Sequence, residues 1–185
     1  NEARLREVAA RCGARAHVHV ADVTVRAEVR RAVAAGVAHF DRIDVWVNNV
    51  GQGISRPPSQ LTDEDVDRMM RVNVLSALYG MQELLPHFRA RGTGHIVNIS
   101  SMLARVPFAV NRSAYNGAKH FLNALTANFR DELAEDHPGI VVSLVSPGVV
   151  YTEFGKNAHH GGPDSRSFPL GQSAEEVADV ILGVI

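Results

Sequence analysis

The chain has one cysteine, no long apolar run, no excess of either charge and only two lysines, and each shortage narrows what it can be. A lone cysteine, Cys12, cannot form an internal disulfide, which fits a reducing compartment. No stretch approaches the roughly eighteen apolar residues of a membrane span, and Asn1-Glu2-Ala3-Arg4 does not open like a secretory signal. A net charge of -1, without blocks of like charge, argues against a nucleic-acid surface. The expectation is a cytoplasmic protein that meets small molecules, with neither nucleic acid nor membrane as partner. At 185 residues and 45% hydrophobic content it can bury one sizeable core, so residues 1–185 are expected to form a single domain. Because the other basic residues are all arginine, Lys119 and Lys156 stand out.

What is present alternates between helical and strand patterns. Ala3 to Ala10 has helical spacing and runs into Cys12-Gly13, a helix end. Ala16 to Ala21 alternates like a short strand stopping at Asp22, and Thr24 reads as the cap of a helix through Phe40. Ile43 to Val47 predicts a strand closing on Asn48-Asn49-Val50-Gly51. Thr62 with Asp65 forms a capping-box pattern that opens one long helix towards Arg91. His95 to Ile99 predicts a strand ending in Ser100-Ser101, and Ser113 starts a helix stopped by Pro138-Gly139. Ile140 to Val145 is the most apolar strand, ending in Ser146-Pro147-Gly148. The Gly- and Pro-bearing segment from Phe154 to Gln172 predicts a mobile loop, and Ser173 with Glu176 opens a last helix.

Such alternation implies a parallel sheet with helices on both faces, whose ligands sit at the carboxyl ends of the strands. Polar and glycine-rich punctuation falls at those ends, at Asp22, Asn48 to Gly51, Ser100-Ser101 and Pro147-Gly148. The strongest local signal is Tyr115-Asn-Gly-Ala-Lys119. Residues four apart share a helix face, so phenol and ammonium can point into one cleft. A tyrosine ionises near pH 10, and a nearby cation favours its phenolate, which suits acid/base chemistry on a carbonyl or alcohol.

Together these residues resemble the short-chain dehydrogenase/reductase family over essentially the whole chain. Asn48-Asn49-Val50-Gly51 resembles its Asn-Asn-Ala-Gly turn, Arg71-Val-Asn73-Val its helix asparagine, and Ile99-Ser100-Ser101 its serine motif. Tyr115-x-x-x-Lys119 resembles its signature, Pro147-Gly148-x-x-x-Thr152 its nicotinamide platform, and Asp22-Val23 the strand end that meets adenine. The resemblance implies an α/β doubly wound parallel sheet, a Rossmann-like three-layer αβα fold, and NAD or NADP as cofactor. It implies hydride transfer between an alcohol and a carbonyl, with Tyr115 as the general acid/base. Lys119 would lower the phenol's pKa and bind the nicotinamide ribose. Ser101 would stabilise the developing alkoxide, and Asn73 would hold a helix irregularity and a water leading to Lys119. Asp22, Val23, Asn49, Gly51, Pro147, Gly148 and Thr152 would complete the cofactor site, with Tyr115 and Lys119. It also implies a homodimer or homotetramer through the helices over 63–91 and 113–137.

Some readings stay open. Ser100 competes with Ser101, Asn73 could be an ordinary helix polar residue, and Asp22 an ordinary turn residue. Gly51-x-Gly53 lacks a third glycine and reads as loop rather than phosphate cradle. His159-His160 lacks a neighbouring carboxylate or cysteine at metal-ligand spacing and is expected to be solvated. Met102, Leu103, Val149 and Phe154 suggest an apolar substrate lining, too general to name the substrate. The family's opening strand and Thr-Gly-x-x-x-Gly-x-Gly turn are not in the sequence, nor is its last strand. The expectation is therefore a fragment without the N-terminal βαβ part, and inactive as these 185 residues alone. The alternative is a non-redox or catalytically silent relative, used for ligand binding or oligomerisation.

Overall fold

Three parallel strands, β1 (Val45–Asn48), β2 (Gly94–Ile99) and β3 (Ile140–Val145), lie in the order β1-β2-β3 in a computed structural model that describes residues 1–185. The register sets Val45 opposite His95, and Gly94 opposite Ile140, so all three strands finish on one rim. The six helices are α1 (Glu2–Cys12), α2 (Arg26–Phe40), α3 (Asp63–Met70), α4 (Ser76–Arg91), α5 (Ser113–Ala134) and α6 (Ala174–Val184). Between α3 and α4, residues Arg71–Leu75 form a π-helical turn.

The central strand β2 is buried along its whole length, as a parallel strand covered on both faces should be. Successive side chains alternate between faces. On one face Ile96, Ile140 and Val142 meet Met81, Leu84, Leu85 and Phe88 of α4, Phe129 and Leu133 of α5, and Val33 of α2. On the other, Val97, Ile99 and Val145 are joined by Ile181 of α6, while Val47 and Val141 remain exposed. The expected doubly wound αβα arrangement is the one that forms, and no helix is long and apolar enough to cross a membrane.

Buried polar groups tie the layers together. Asn48 donates through Nδ2 to Asn98 Oδ1 at 2.8 Å, Asn98 donates to Thr126 Oγ1 at 2.9 Å, and Thr126 donates to the Leu122 carbonyl at 2.7 Å. This chain stitches β1 to β2 to α5, and each link satisfies a group that would otherwise be costly to bury. Gly80 is required beside it, because a Cβ there would collide with Asn48 Oδ1.

The capping boxes at Thr62–Asp65 and Ser173–Glu176 form as expected. Two expectations do not hold. Residues 16–21 join no ladder, because no neighbouring strand in the sheet offers them backbone partners. Thr24 does not cap α2, which starts at Arg26. Its amide and hydroxyl both donate to Asp22 Oδ1, closing an Asx-type turn instead. The long helix opened by Thr62 does run to Arg91, with the π turn at Arg71–Leu75 as the irregularity expected at Asn73.

Candidate active site

The carboxyl ends of β2 and β3 remain paired beyond the strands, with the Ser100 amide donating to Val145 O and the Met102 amide to Pro147 O. This spreads Ser100, Ser101, Pro147 and Gly148 along the floor of a cleft of about 770 Å³. Tyr115 and Lys119, one turn apart on α5, close its side. Of the sequence-selected cofactor residues, Asn49, Gly51, Tyr115, Lys119, Pro147, Gly148 and Thr152 all border this cleft. Asp22 and Val23 do not border it.

Asn73 lies beneath the cleft at 1% exposure and holds two things at once. Its Nδ2 donates to Met69 O, a carbonyl of the helix irregularity, and to Gln52 O, while its Oδ1 accepts the Gln52 amide at 3.1 Å. A π turn displaces a backbone hydrogen bond, and this amide makes good part of the loss while clamping the loop after β1. Gly51 sits on top: a Cβ would come 3.0 Å from Asn73 Oδ1 and 3.5 Å from Lys119 Nζ. Any larger residue would fill the space through which the cleft reaches the ammonium.

Lys119 is buried and its Nζ donates to the Ile99 carbonyl at 2.8 Å. Burial lowers its pKa to about 8. Burial likewise raises the Tyr115 phenol, outweighing the opposing pull of the Ser101 hydroxyl and the Arg112 charge. The expectation of a phenol lowered by Lys119 is therefore not met. The ammonium lies 5.8 Å from the ring centre with a carbonyl as its hydrogen-bond partner, and desolvation is the larger effect.

The two serines part company. The Ser100 hydroxyl donates to Asn123 Oδ1 at 2.5 Å, into α5. The Ser101 oxygen accepts the Leu103 amide at 3.2 Å, and its own proton is directed to the Tyr115 phenol. Asn116 steadies the strand-to-helix segment by donating to the carbonyls of Leu103 and Val106.

The segment from Phe154 to Gln172, expected to be mobile, is tied to the rest of the molecule at several points. The His159 amide donates to Gly53 O and the Ser55 amide to His159 O, while Gln172 exchanges backbone bonds with Val149 and Tyr151. Nor are His159 and His160 simply solvated. Their Nε2 atoms lie 3.1 and 2.7 Å from Asp65 Oδ1, and Arg56 pairs with Oδ2 at 2.8 Å. Arg56 and His160 together hold the buried Asp65 carboxyl well below the usual carboxylate range. Phe154 in turn tilts against Tyr115 with ring centres 5.7 Å apart. Sequence reading missed this knot because Asp65 and His160 are 95 positions apart. It missed the cleft walls from Phe108 to Arg112 and from α6 for want of any distinctive spacing.

The family model described as short chain dehydrogenase matches residues 1–161. The chain belongs to that family. This short-chain dehydrogenase is 34% identical over 161 residues to an uncharacterized oxidoreductase of Staphylococcus epidermidis, covering 87% of this chain and 69% of that one. It superposes on a short-chain dehydrogenase from Streptomyces avermitilis with a TM-score of 0.84 at 29% identity, covering 100% of this chain and 72% of the other. A 3-ketoacyl-(acyl-carrier-protein) reductase from Brucella melitensis, complexed with NADH, gives 0.87 at 27% identity, with coverages of 100% and 76%.

Proposed function

We propose that this short-chain dehydrogenase interconverts an alcohol and a carbonyl with NAD or NADP, Tyr115 serving as the general acid/base. The observation that carries the reading is the convergence of Tyr115, Ser101 and Lys119 on one cleft, with Asn73 supporting its base. The space left over Gly51, with Lys119 beneath it and the Pro147-Gly148 turn alongside, fits a nicotinamide riboside. When bound, that cofactor supplies or accepts the hydride. Asn49, Gly51, Pro147, Gly148 and Thr152 would hold it, and Asp22 and Val23 would meet its adenine end.

In the reductive direction the raised phenol starts protonated at neutral pH and gives its proton to the substrate oxygen. The Ser101 hydroxyl donates to that same oxygen as charge develops on it. The Lys119 ammonium, with a pKa lowered to about 8, then passes a proton to the phenolate left behind, and the resulting amine takes up a proton from solvent by way of the buried polar groups around Asn73. Half-buried and apolar residues around the cleft, such as Leu103, Val149 and Phe154, keep bulk water from the transfer. The same reading includes assembly through residues 63–91 and 113–137, supported by the exposure of Val66 and Phe121 on those helices.

The test is NAD(P)H oxidation by the full-length protein against a panel of ketones and aldehydes, comparing wild type with Tyr115→Phe. The variant is expected to lose at least about a hundredfold in kcat while keeping cofactor affinity. Undiminished turnover by Tyr115→Phe, or none by wild type on any carbonyl, would overturn the reading.

A further inference from the structure

The charge inventory of the cleft is lopsided. Among its lining residues only Lys119 and Arg112 carry charge, both positive, and there is no carboxylate. Lys119 is committed to the Ile99 carbonyl. Arg112 is different. It stands at the N-terminal end of α5, three positions before Tyr115, and forms none of the thirteen salt bridges in the molecule. Its side chain has no protein hydrogen-bond acceptor. Its NH1 lies 3.3 Å from where a Cβ on Gly53 would be, and Phe154 Cε1 crowds the same point at 3.2 Å. The guanidinium is thus on the Phe154 side of Tyr115, close enough for its charge to act on the phenol.

Resting on the redox reading above, we propose that the substrate carries a carboxylate on an apolar body, and that Arg112 binds that carboxylate while Tyr115 and Ser101 hold the carbonyl. A half-buried guanidinium without an anion is an incomplete pair, and its planar fork matches a carboxylate in a bidentate manner. With Lys119 occupied, one free cation balances one negative charge, which favours a carboxylate over a dianionic phosphate ester. The remaining lining, including Met102, Leu103, Phe108 and Val149, suits a hydrocarbon or aromatic body between the two polar ends. Arg112 acts here as a specificity-determining residue. It does not move the reacting proton.

The experiment uses the full chain with NAD(P)H and a matched pair of probes, benzoylpropionate (an aryl ketone ending in a carboxylate) and its methyl ester. Wild type is expected to favour the acid by about tenfold or more in kcat/KM, chiefly through KM. Arg112→Gln should bring the acid-to-ester ratio close to one, and Arg112→Lys should restore part of it, which a purely structural role would not do. Equal ratios in wild type and Arg112→Gln, or no preference in wild type, would overturn the proposal. So would weaker cofactor binding in Arg112→Gln with an unchanged ratio, which would assign the guanidinium to the cofactor. If neither probe is reduced, the carbonyl panel above tests the redox reading separately, and calorimetric binding of acid against ester to the same proteins decides the role of Arg112.

Discussion

The floor and the roof of the cleft are held by different means. The floor, made of the β2 and β3 ends, the π turn and α5, is anchored by buried amides and an ammonium whose partners are backbone carbonyls: Asn73 on Met69 and Gln52, Lys119 on Ile99, Asn116 on Leu103. The roof, from Phe154 to Gln172, rests on a few loop hydrogen bonds and on partly exposed His159, His160 and Arg56 converging on the buried Asp65. Bonds of the first kind cannot be exchanged for water without opening the core. In the second kind the partly exposed cations can turn to solvent, though doing so leaves the buried Asp65 carboxylate short of partners. The floor is therefore built to keep one geometry, whereas the roof can be released and reformed.

Three changes would sharpen or break that contrast. Asn73→Ala removes three hydrogen bonds at a buried point and strands the Gln52 amide. It is expected to cost about 2–4 kcal/mol in urea-induced unfolding and to depress turnover more than cofactor binding. A loss under about 1 kcal/mol would mean the floor yields as readily as the roof.

Lys119 gives a floor effect that depends on pH. Its folded pKa of about 8 lies below the ordinary 10.5, so between those values the unfolded chain binds more protons. Stability from this group should accordingly rise with pH across that window, by up to about 1.4 kcal/mol per unit, and Lys119→Met should abolish the rise. Unfolding curves of the two proteins from about pH 7.5 to about 10 check it; parallel pH dependences would contradict it.

The smallest global effect is expected at the roof. Asp65→Asn should lower the melting temperature by less than Asn73→Ala does, yet speed hydrogen exchange at Gly155 to Ser165 and raise KM several-fold. The depressed carboxyl also fixes a direction. Its contribution is present above about pH 4, the unfolded value, and fades only as pH falls through the lower folded value. Roof exchange should therefore stay slow at about pH 5 and quicken only in stronger acid.

The same contrast explains what was legible in the sequence. Floor residues sit at strand ends and at a four-residue helical spacing, so Tyr115, Lys119, Ser100-Ser101 and Asn48 to Gly51 could be picked out from local pattern. The capping boxes were readable because their partners are three positions apart. Roof contacts were not, since no local pattern links His160 to Asp65 or Gln172 to Val149. Asp22 shows an intermediate case. It was marked as polar punctuation, but which donors its carboxylate would take, the Thr24 amide and hydroxyl, depended on backbone geometry. Arg112 drew no notice because an arginine at a helix start is ordinary until the walls around it prove to hold no acid.

The π turn at Arg71–Leu75 also sets the rotational phase of α4 beyond it. A regular helix advances 100° per residue, and one residue more in the turn offsets everything downstream by about that angle. Met69 and Val74 thereby serve the cluster under Tyr115, while Met81, Leu84, Leu85 and Phe88 swing round to the sheet. Deleting a single residue from 71–75 would straighten the rod and leave Phe88 pointing away from Gly94, against which its ring now lies with no room for a Cβ. The extra residue works like a gear tooth, letting one helical run mesh with two separate cores.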